Sequence, residues 1–329
     1  MPPALPANEI EAAVAALRRG EAIGLPTETV YGLAADARNA DAVRRIFALK
    51  GRPADHPLIV HIAGIEQLSR WASEVPESAR RLAERFWPGP LTLILTKRAE
   101  VPDVVTGGQD SIGLRCPNHP VALALLRAFE GGLAAPSANR FGRISPTLAE
   151  HVREEFGAAV PVVLDGGPCA VGLESTIVDF SGPTPRILRP GQISRGEIEA
   201  LIGAVESGSS EHSPRASGTL EAHYAPRTRM RLLPRRELIA VLADAHALGQ
   251  RCALLAIERM PERGEGLVLP PRATRYGHDL YAALRRLDAL GADLILVEQP
   301  PSGDDWLAVN DRLRRAAAGA GADADEDGT

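Results

Sequence analysis

The sequence predicts an α/β protein: a twisted mixed-sheet domain followed by a small Rossmann-like parallel α/β domain. Three observations predict it. Short apolar strand-like runs alternate with amphipathic helical segments as far as Phe129, strand-like runs then crowd together up to Gly203, and a plain strand–helix alternation restarts near Arg229. At 329 residues the chain is long enough for two cores, so the expected division is a domain at 1–203, a linker or lid at 204–228, a small domain at 229–318 and a disordered acidic tail at 319–329.

The elements follow in order. A first helix is expected over Glu9–Arg19, with Asn8 as cap, Glu11 as capping-box carboxylate and Gly20 as terminator. A strand ending at Leu25 breaks at Pro26 into Thr27, Glu28, Thr29 and Tyr31, and a helix follows with Val43, Ile46 and Phe47 on one face. Gly51 suits the left-handed residue that ends such a helix. The apolar run 58–62 (LIVHI) is a strand carrying His61, and helical segments are expected over Ile65–Ala72 and Pro76–Trp87. Strands at 91–97 and 111–117 flank a loop, the second ending near Arg115; a helix over Pro120–Phe129 and a strand at 133–138 come next. Thr147 to Glu150 reads as a capping box, three strands fall at 161–167, 175–180 and 185–191, and Ser194 to Glu197 caps a helix ending at Gly203.

Segment 204–228 is rich in Ser, Gly and Pro and has no periodicity. Beyond it, strands at 229–233, 252–257 and 292–300 alternate with helices over Arg235–Leu248, Tyr276–Leu290 and Trp306–Ala317, the pattern of a parallel sheet.

Composition narrows the function. A net charge of -5 and a sequence pI near 6.0 give no electrostatic case for nucleic-acid or membrane binding by the whole chain, so an anion site must be local. The three cysteines, Cys116, Cys169 and Cys252, form no CxxC pair, which argues against zinc or a disulfide framework and fits a reducing compartment. No apolar run reaches membrane-spanning length and the N-terminus has no leader pattern, so a cytoplasmic location is expected. Neither a GxxxxGK[ST] loop nor a GxGxxG turn after a strand is present, so a nucleotide would have to be held by other means.

What the first domain offers instead is cations and hydroxyls where strands become loops: Lys50, Arg52, Ser111, Arg115, Ser137, Asn139, Ser145, Ser175 and Arg189. Guanidinium forks match carboxylate and phosphate oxygens, and serine hydroxyls add neutral donors. Lys50 stands out because the chain has only two lysines, Lys50 and Lys97, and uses arginine for every other cation. Each member also has a plain structural reading: Lys50 as a helix C-terminal cation, Ser137, Asn139 and Ser145 as turn formers, His56 and His61 as core histidines, Glu28 and Glu174 as buried partners of arginines. Only convergence on one place separates the two readings.

The runs PTETVYGL, KxRP followed by HPLIVHI, WPGPLTLIL, GLRCP, APSAN, GLESTIVD and ILRPG, in this order between Ile10 and Gly203, resemble the L-threonylcarbamoyladenylate synthase family, built on a YrdC-type core. A linker ending in HYAP and a second α/β domain resemble its longer, two-domain branch. That resemblance implies a nucleotidyltransferase that makes threonylcarbamoyl-AMP and pyrophosphate from ATP, bicarbonate and L-threonine, with Mg2+ accompanying ATP and held by no dedicated protein cage. The product would feed N6-threonylcarbamoyladenosine formation on tRNA through downstream transfer proteins.

It also implies roles: Thr29, His61, Arg115, Ala135 and Ser175 at threonine, and Arg52, His56, Ser111, Ser137, Ser145, Arg189 and His223 at ATP. Lys50, Arg52, Ser137 and Asn139 form the family's catalytic set. Two rivals share the core: a non-catalytic RNA-binding factor using the same cationic cleft, and the carbamoyl-transfer domain of hydrogenase maturation proteins, whose zinc-finger cysteine spacing is missing here.

Overall fold

The computed structural model describes residues 6–210 and 213–321. The chain divides into two compact units, residues 1–141 with 146–219 and residues 142–145 with 220–329. The expected linker is therefore split at residue 219/220, its first part belonging to the first unit and its last part to the second. Of the expected acidic tail, residues 322–329 lie outside the described residues, as do 211–212 of the linker.

The first unit is built on a mixed sheet. Helix α1 (Ala7–Arg18) leads into strands β1 (Ile23–Leu25) and β2 (Gly32–Asp36); α2 (Ala40–Lys50) and β3 (Ile59–His61) come next. A 3-10 turn at Ile65–Arg70 precedes α3 (Glu77–Phe86), β4 (Leu91–Thr96), the short α4 (Asp103–Thr106) and β5 (Ser111–Arg115). Then come α5 (Pro120–Phe129), β6 (Leu133–Ala134), α6 (Ala149–Phe156), β7 (Thr176–Asp179), β8 (Arg186–Arg189), α7 (Arg195–Ile202) and β9 (Glu206–Ser207). The spatial order is β1-β2-β6-β3-β5-β4-β7-β8-β9. The β3/β5, β4/β7 and β8/β9 pairs are parallel and the others antiparallel.

Alternation along these strands sorts their side chains. Val60, Ile112, Leu114, Leu93, Leu95, Val178 and Ile187 enter the main apolar core with Val43, Ile46 and Phe47 of α2 and Leu82 of α3. The other face of the central strands carries Ile59 and His61, Ser111, Gly113 and Arg115, Thr92 and Ile94, then Ile177. A second apolar cluster joins α1 and α5 to β1 through Leu17, Ile23, Leu25, Leu125 and Leu126.

Local chemistry explains the boundaries and their departures from expectation. Helix α2 is capped by Asn39, whose side chain accepts from the Asp41 and Ala42 amides, and Gly51 closes it at φ 61°. Ser194 and Glu197 form the expected reciprocal box at α7. Asn8, in contrast, caps nothing: α1 starts at Ala7 behind Pro6, whose ring fixes φ at -56° and starts the helix one position before Asn8. Thr147 is not the cap: α6 begins at Ala149 behind Leu148, with no side-chain cap, while the Thr147 amide donates to His151 Nδ1 at 3.2 Å. The expected strand at 161–167 shrinks to a bridge around Val163, which packs where a Cβ on Gly24 would stand. Strand β2 had no separate signal because GLAAD is short and merges with the loop before it.

The second unit holds the parallel sheet that the sequence predicts. Strands β10 (Met230–Leu233), β11 (Cys252–Ile257), β12 (Gly266–Leu269) and β13 (Leu294–Glu298) lie in the order β10-β13-β11-β12. They alternate with α8 (Arg235–Ala247), α9 (Ala273–Asp288) and α10 (Leu307–Gly319). Strand β12 was not expected, since only three apolar residues, Leu267 to Leu269, stand between the GEG run and Pro270.

Candidate active site

In the first unit, the sheet face opposite the main core carries His61, Ser111 and Arg115 of the expected residues. Because β3 and β5 run parallel in register, His61 and Arg115 finish side by side. Two residues back along β5 stands Gly113 and two further Ser111, so one period-2 row offers a guanidinium, an open space and a hydroxyl.

Arg115 is 4% exposed, and its Nη2 lies 2.7 Å from Glu28 Oε1, with Nε 3.4 Å from the Gly89 carbonyl. Beside it the His61 ring is buried with Nδ1 unbonded, and burial, then the neighbouring guanidinium, push its pKa down to about 3. His61 is a neutral ring at physiological pH. Thr29 Oγ1 is 2.9 Å from Thr27 Oγ1, which donates to the Val30 carbonyl at 2.6 Å and fixes the tight turn after Pro26. Ala135 continues β6, its amide donating to the Ile59 carbonyl at 3.0 Å.

Lys50 closes α2, but its side chain turns inward rather than to water. Its ammonium donates to the carbonyl oxygens of Ser137, at 2.6 Å, and Asn139. Burial first, and the Arg52 charge second, hold its pKa well below the ordinary lysine value. The rare lysine therefore ties the APSAN loop to the end of α2, and the amide of Phe141 returns the tie to the Lys50 carbonyl at 2.8 Å. Arg52 stands over the Phe141 ring, 5.8 Å from its centroid, and His56 meets the same ring edge-on at 5.3 Å. Burial, then Arg52, lower the pKa of His56.

Ser217 joins two cationic positions. Arg52 Nη2 donates to its hydroxyl at 3.3 Å, that hydroxyl donates to the Pro57 carbonyl at 2.9 Å, and Arg189 Nη1 donates to its carbonyl at 2.8 Å. Arg189 also donates to the Ser175 hydroxyl at 3.1 Å, which lies 2.7 Å from Thr92 Oγ1. Arg215 fastens the same segment, exchanging hydrogen bonds with Gln109 and donating to the Gly107 carbonyl at 2.7 Å. Beneath Ala216 and Ser217 remains a cavity of about 20 Å3 whose floor is Ile59, Thr92, Ile94, Gly113 and Ile177, with Ser111 at its side.

The structure thus ties Lys50 to the loop of Ser137 and Asn139, joins Arg52, Arg189 and Ser175 through Ser217, and brings the two sets together where Arg52 stands over Phe141; it also sets His61 beside Arg115 with Ser111 further along β5. Ser145 and His223 belong to the second unit. Ser145 is fully buried there; His223 donates its amide to the Arg315 carbonyl at 3.2 Å and packs its ring against Tyr224 at 4.1 Å. Sequence reasoning missed Thr92, Gly113, Phe141 and Ser217. Counting back by two from Arg115 reaches Gly113, and Thr92 is a hydroxyl inside an apolar strand; Ser217 carried no signal of its own.

A mixed sheet with hydroxyls and guanidiniums gathered on one face suits the binding of an anionic ligand. Residues 15–191 match a family model described as "Telomere recombination", and residues 193–318 match one described as "Threonylcarbamoyl-AMP synthase, C-terminal domain". The threonylcarbamoyl-AMP synthase of Pyrococcus abyssi is 41% identical over 320 residues, 94% of each chain. That of Bacillus subtilis is 40% identical over 328 residues, 94% of this chain and 93% of the relative. A crystal structure of Pyrococcus abyssi Sua5 complexed with L-threonine superposes with a TM-score of 0.91 at 40% identity, covering 96% of each chain. The chain belongs to the threonylcarbamoyl-AMP synthase family and is an enzyme of the nucleotidyltransferase type.

Proposed function

We propose that this protein condenses L-threonine, bicarbonate and ATP into threonylcarbamoyl-AMP, pyrophosphate and water. The observation that carries the reading is the sheet face itself, where Arg115 and His61 adjoin while Arg52 and Arg189 share one serine. On this reading the threonine carboxylate pairs with Arg115, and Thr29, Ala135 and Ser175 enclose the rest of the amino acid. The amine attacks the bicarbonate carbon and water leaves, which forms a carbamate; a carbamate oxygen then attacks the α-phosphorus and pyrophosphate departs.

Negative charge collects on the nucleophile, the phosphoryl oxygens and the leaving group. Preorganised cations therefore supply most of the rate enhancement, and no covalent enzyme intermediate is required. Lys50, Arg52 and Arg189 supply those cations; Ser111, Ser137 and His56 add further nucleotide contacts within the first unit, and Asn139 belongs to the loop that carries Ser137. Mg2+ would accompany ATP and offset the charge of its phosphates. Among the described residues no group of three or more His, Cys, Asp or Glu side chains is placed to hold a metal ion. Segment 213–219 excludes water from the labile carbamate. The product serves tRNA modification in the cytoplasm through downstream transfer proteins.

The test is incubation of the protein with ATP, Mg2+, labelled bicarbonate and each amino acid in turn, with the adenylate read by mass. A labelled threonylcarbamoyl-AMP that disappears in the Arg52→Ala variant is expected. Equal product with unrelated amino acids, or none with threonine, overturns the reading.

A further inference from the structure

We propose that Glu28 makes the threonine pocket select a zwitterion over a simple carboxylate, by standing as a buried counter-charge behind Arg115. The inference rests on the threonine reading above and adds a specificity-determining residue that acts through Arg115.

The contact is one of charge rather than of hydrogen-bond direction. Glu28 is 4% exposed and its Oε1 lies 2.7 Å from Arg115 Nη2, yet neither carboxylate oxygen nor Nη2 takes part in a hydrogen bond. A buried carboxylate with no donor on either oxygen is uncommon. Its charge is felt by the surrounding groups: together with burial it raises the thiols of Cys116 and Cys169, and it opposes the burial that lowers His119. His119 and His61 are both buried, and burial lowers the pKa of each below the ordinary histidine value, so both rings are neutral at physiological pH and neither cancels the carboxylate. Arg115 and Glu28 thus sum to zero.

Such a pocket accepts a ligand whose own charges cancel. Threonine brings one carboxylate and one ammonium and leaves the enclosed charge unchanged. 3-Hydroxybutyrate, the same molecule without its amine, buries an uncompensated negative charge, which low-dielectric surroundings penalise. Replacing Glu28 by a neutral amide reverses this, because the pocket then carries the unbalanced guanidinium and favours an anion.

The experiment is calorimetric titration of the full chain with L-threonine and with 3-hydroxybutyrate, for wild type and Glu28→Gln. Wild type is expected to prefer threonine by about tenfold or more, and Glu28→Gln to shrink that ratio by about tenfold. Equal weakening of both ligands in Glu28→Gln, with the ratio kept, would mean that Glu28 merely shapes Arg115 and overturns the proposal. Should Glu28→Gln fail to fold, two other measurements decide: Glu28→Asp keeps the charge and must keep the preference, and wild type itself must discriminate. Wild-type binding of both ligands with equal affinity overturns this inference alone, whereas binding of neither removes the threonine reading and this inference with it.

Discussion

Lys50 sits where the helix dipole would favour any cation, yet its ammonium satisfies two carbonyls of a neighbouring loop. Its rarity made it visible in the sequence, but its tie to the Ser137 loop was not, because those partners lie 87 and 89 positions away and use main-chain oxygens. Glu28 was visible as a possible arginine partner; which arginine it meets depends on the strand order. His61 yields a prediction at this scale. Its folded pKa near 3 lies below the free imidazole value of 6.5, so between these pH values the unfolded chain binds more protons than the folded one. Its share of stability is complete above pH 6.5 and is lost as the pH falls toward 3, by up to about 1.4 kcal/mol per unit. A His61→Gln variant is therefore expected to show a flatter melting temperature between pH 6 and pH 4, measured by calorimetry in about unit steps. An unchanged slope would place the acid sensitivity elsewhere.

Strand alternation does most of the positioning. Once β5 is set against β3 and β4, Ser111, Gly113 and Arg115 face one way and Ile112 and Leu114 the other, with no further instruction from the chain. Ser111 and Arg115 stood out in the sequence as a strand-end hydroxyl and guanidinium, whereas Gly113 between them did not. The segment that covers this face was not legible, since residues 213–219 are held by side chains that reach back to Gly107, Gln109 and Pro57 rather than by a pattern of their own. Gly113 marks the place where this face stays open. A Cβ there would meet Ile59 Cγ1 at 3.4 Å and Thr92 Cγ2 at 3.5 Å, ordinary contacts, so Gly113→Ala is expected to fold and bind ATP much as wild type does. Gly113→Leu overfills the cavity of about 20 Å3 beneath Ala216, so it is expected to cost about 1–3 kcal/mol and to lower the melting temperature. Thermal melts of both variants, with titration of ATP into Gly113→Ala, check this.

The whole chain combines two units with separate cores. Alternating apolar runs announced both sheets; the placing of residues 142–145 in the second unit was beyond a sequence reading because a main-chain pair, the Ala225 amide to the Gly142 carbonyl at 2.8 Å, makes it. The second unit is held by an ionic centre as well as by apolar packing. Asp311 is 4% exposed and accepts from Arg312 at 2.8 Å and from Arg314 and Arg315 at 3.2 and 3.1 Å. Burial opposes its ionisation, and the guanidiniums outweigh burial and lower its pKa. Asp311→Ala leaves the fully buried Arg312 without that carboxylate and is expected to cost the second unit about 3–5 kcal/mol. Hydrogen exchange is the measurement: protection should fall in β10 and α10 and persist in β4 and β5. A uniform loss would show instead that both units open together.

The near-exclusive use of arginine has a practical side. Reductive methylation with isotopic formaldehyde marks lysines and the chain terminus, so a protein of 329 residues would give a spectrum almost empty of crowding. Lys97, which meets the exposed Asp103, takes the label, whereas Lys50, buried with its amine held by two carbonyls, is shielded from the reagent while α2 and the Ser137 loop stay joined. A second lysine signal would therefore report the parting of that loop from the helix, at a single amine.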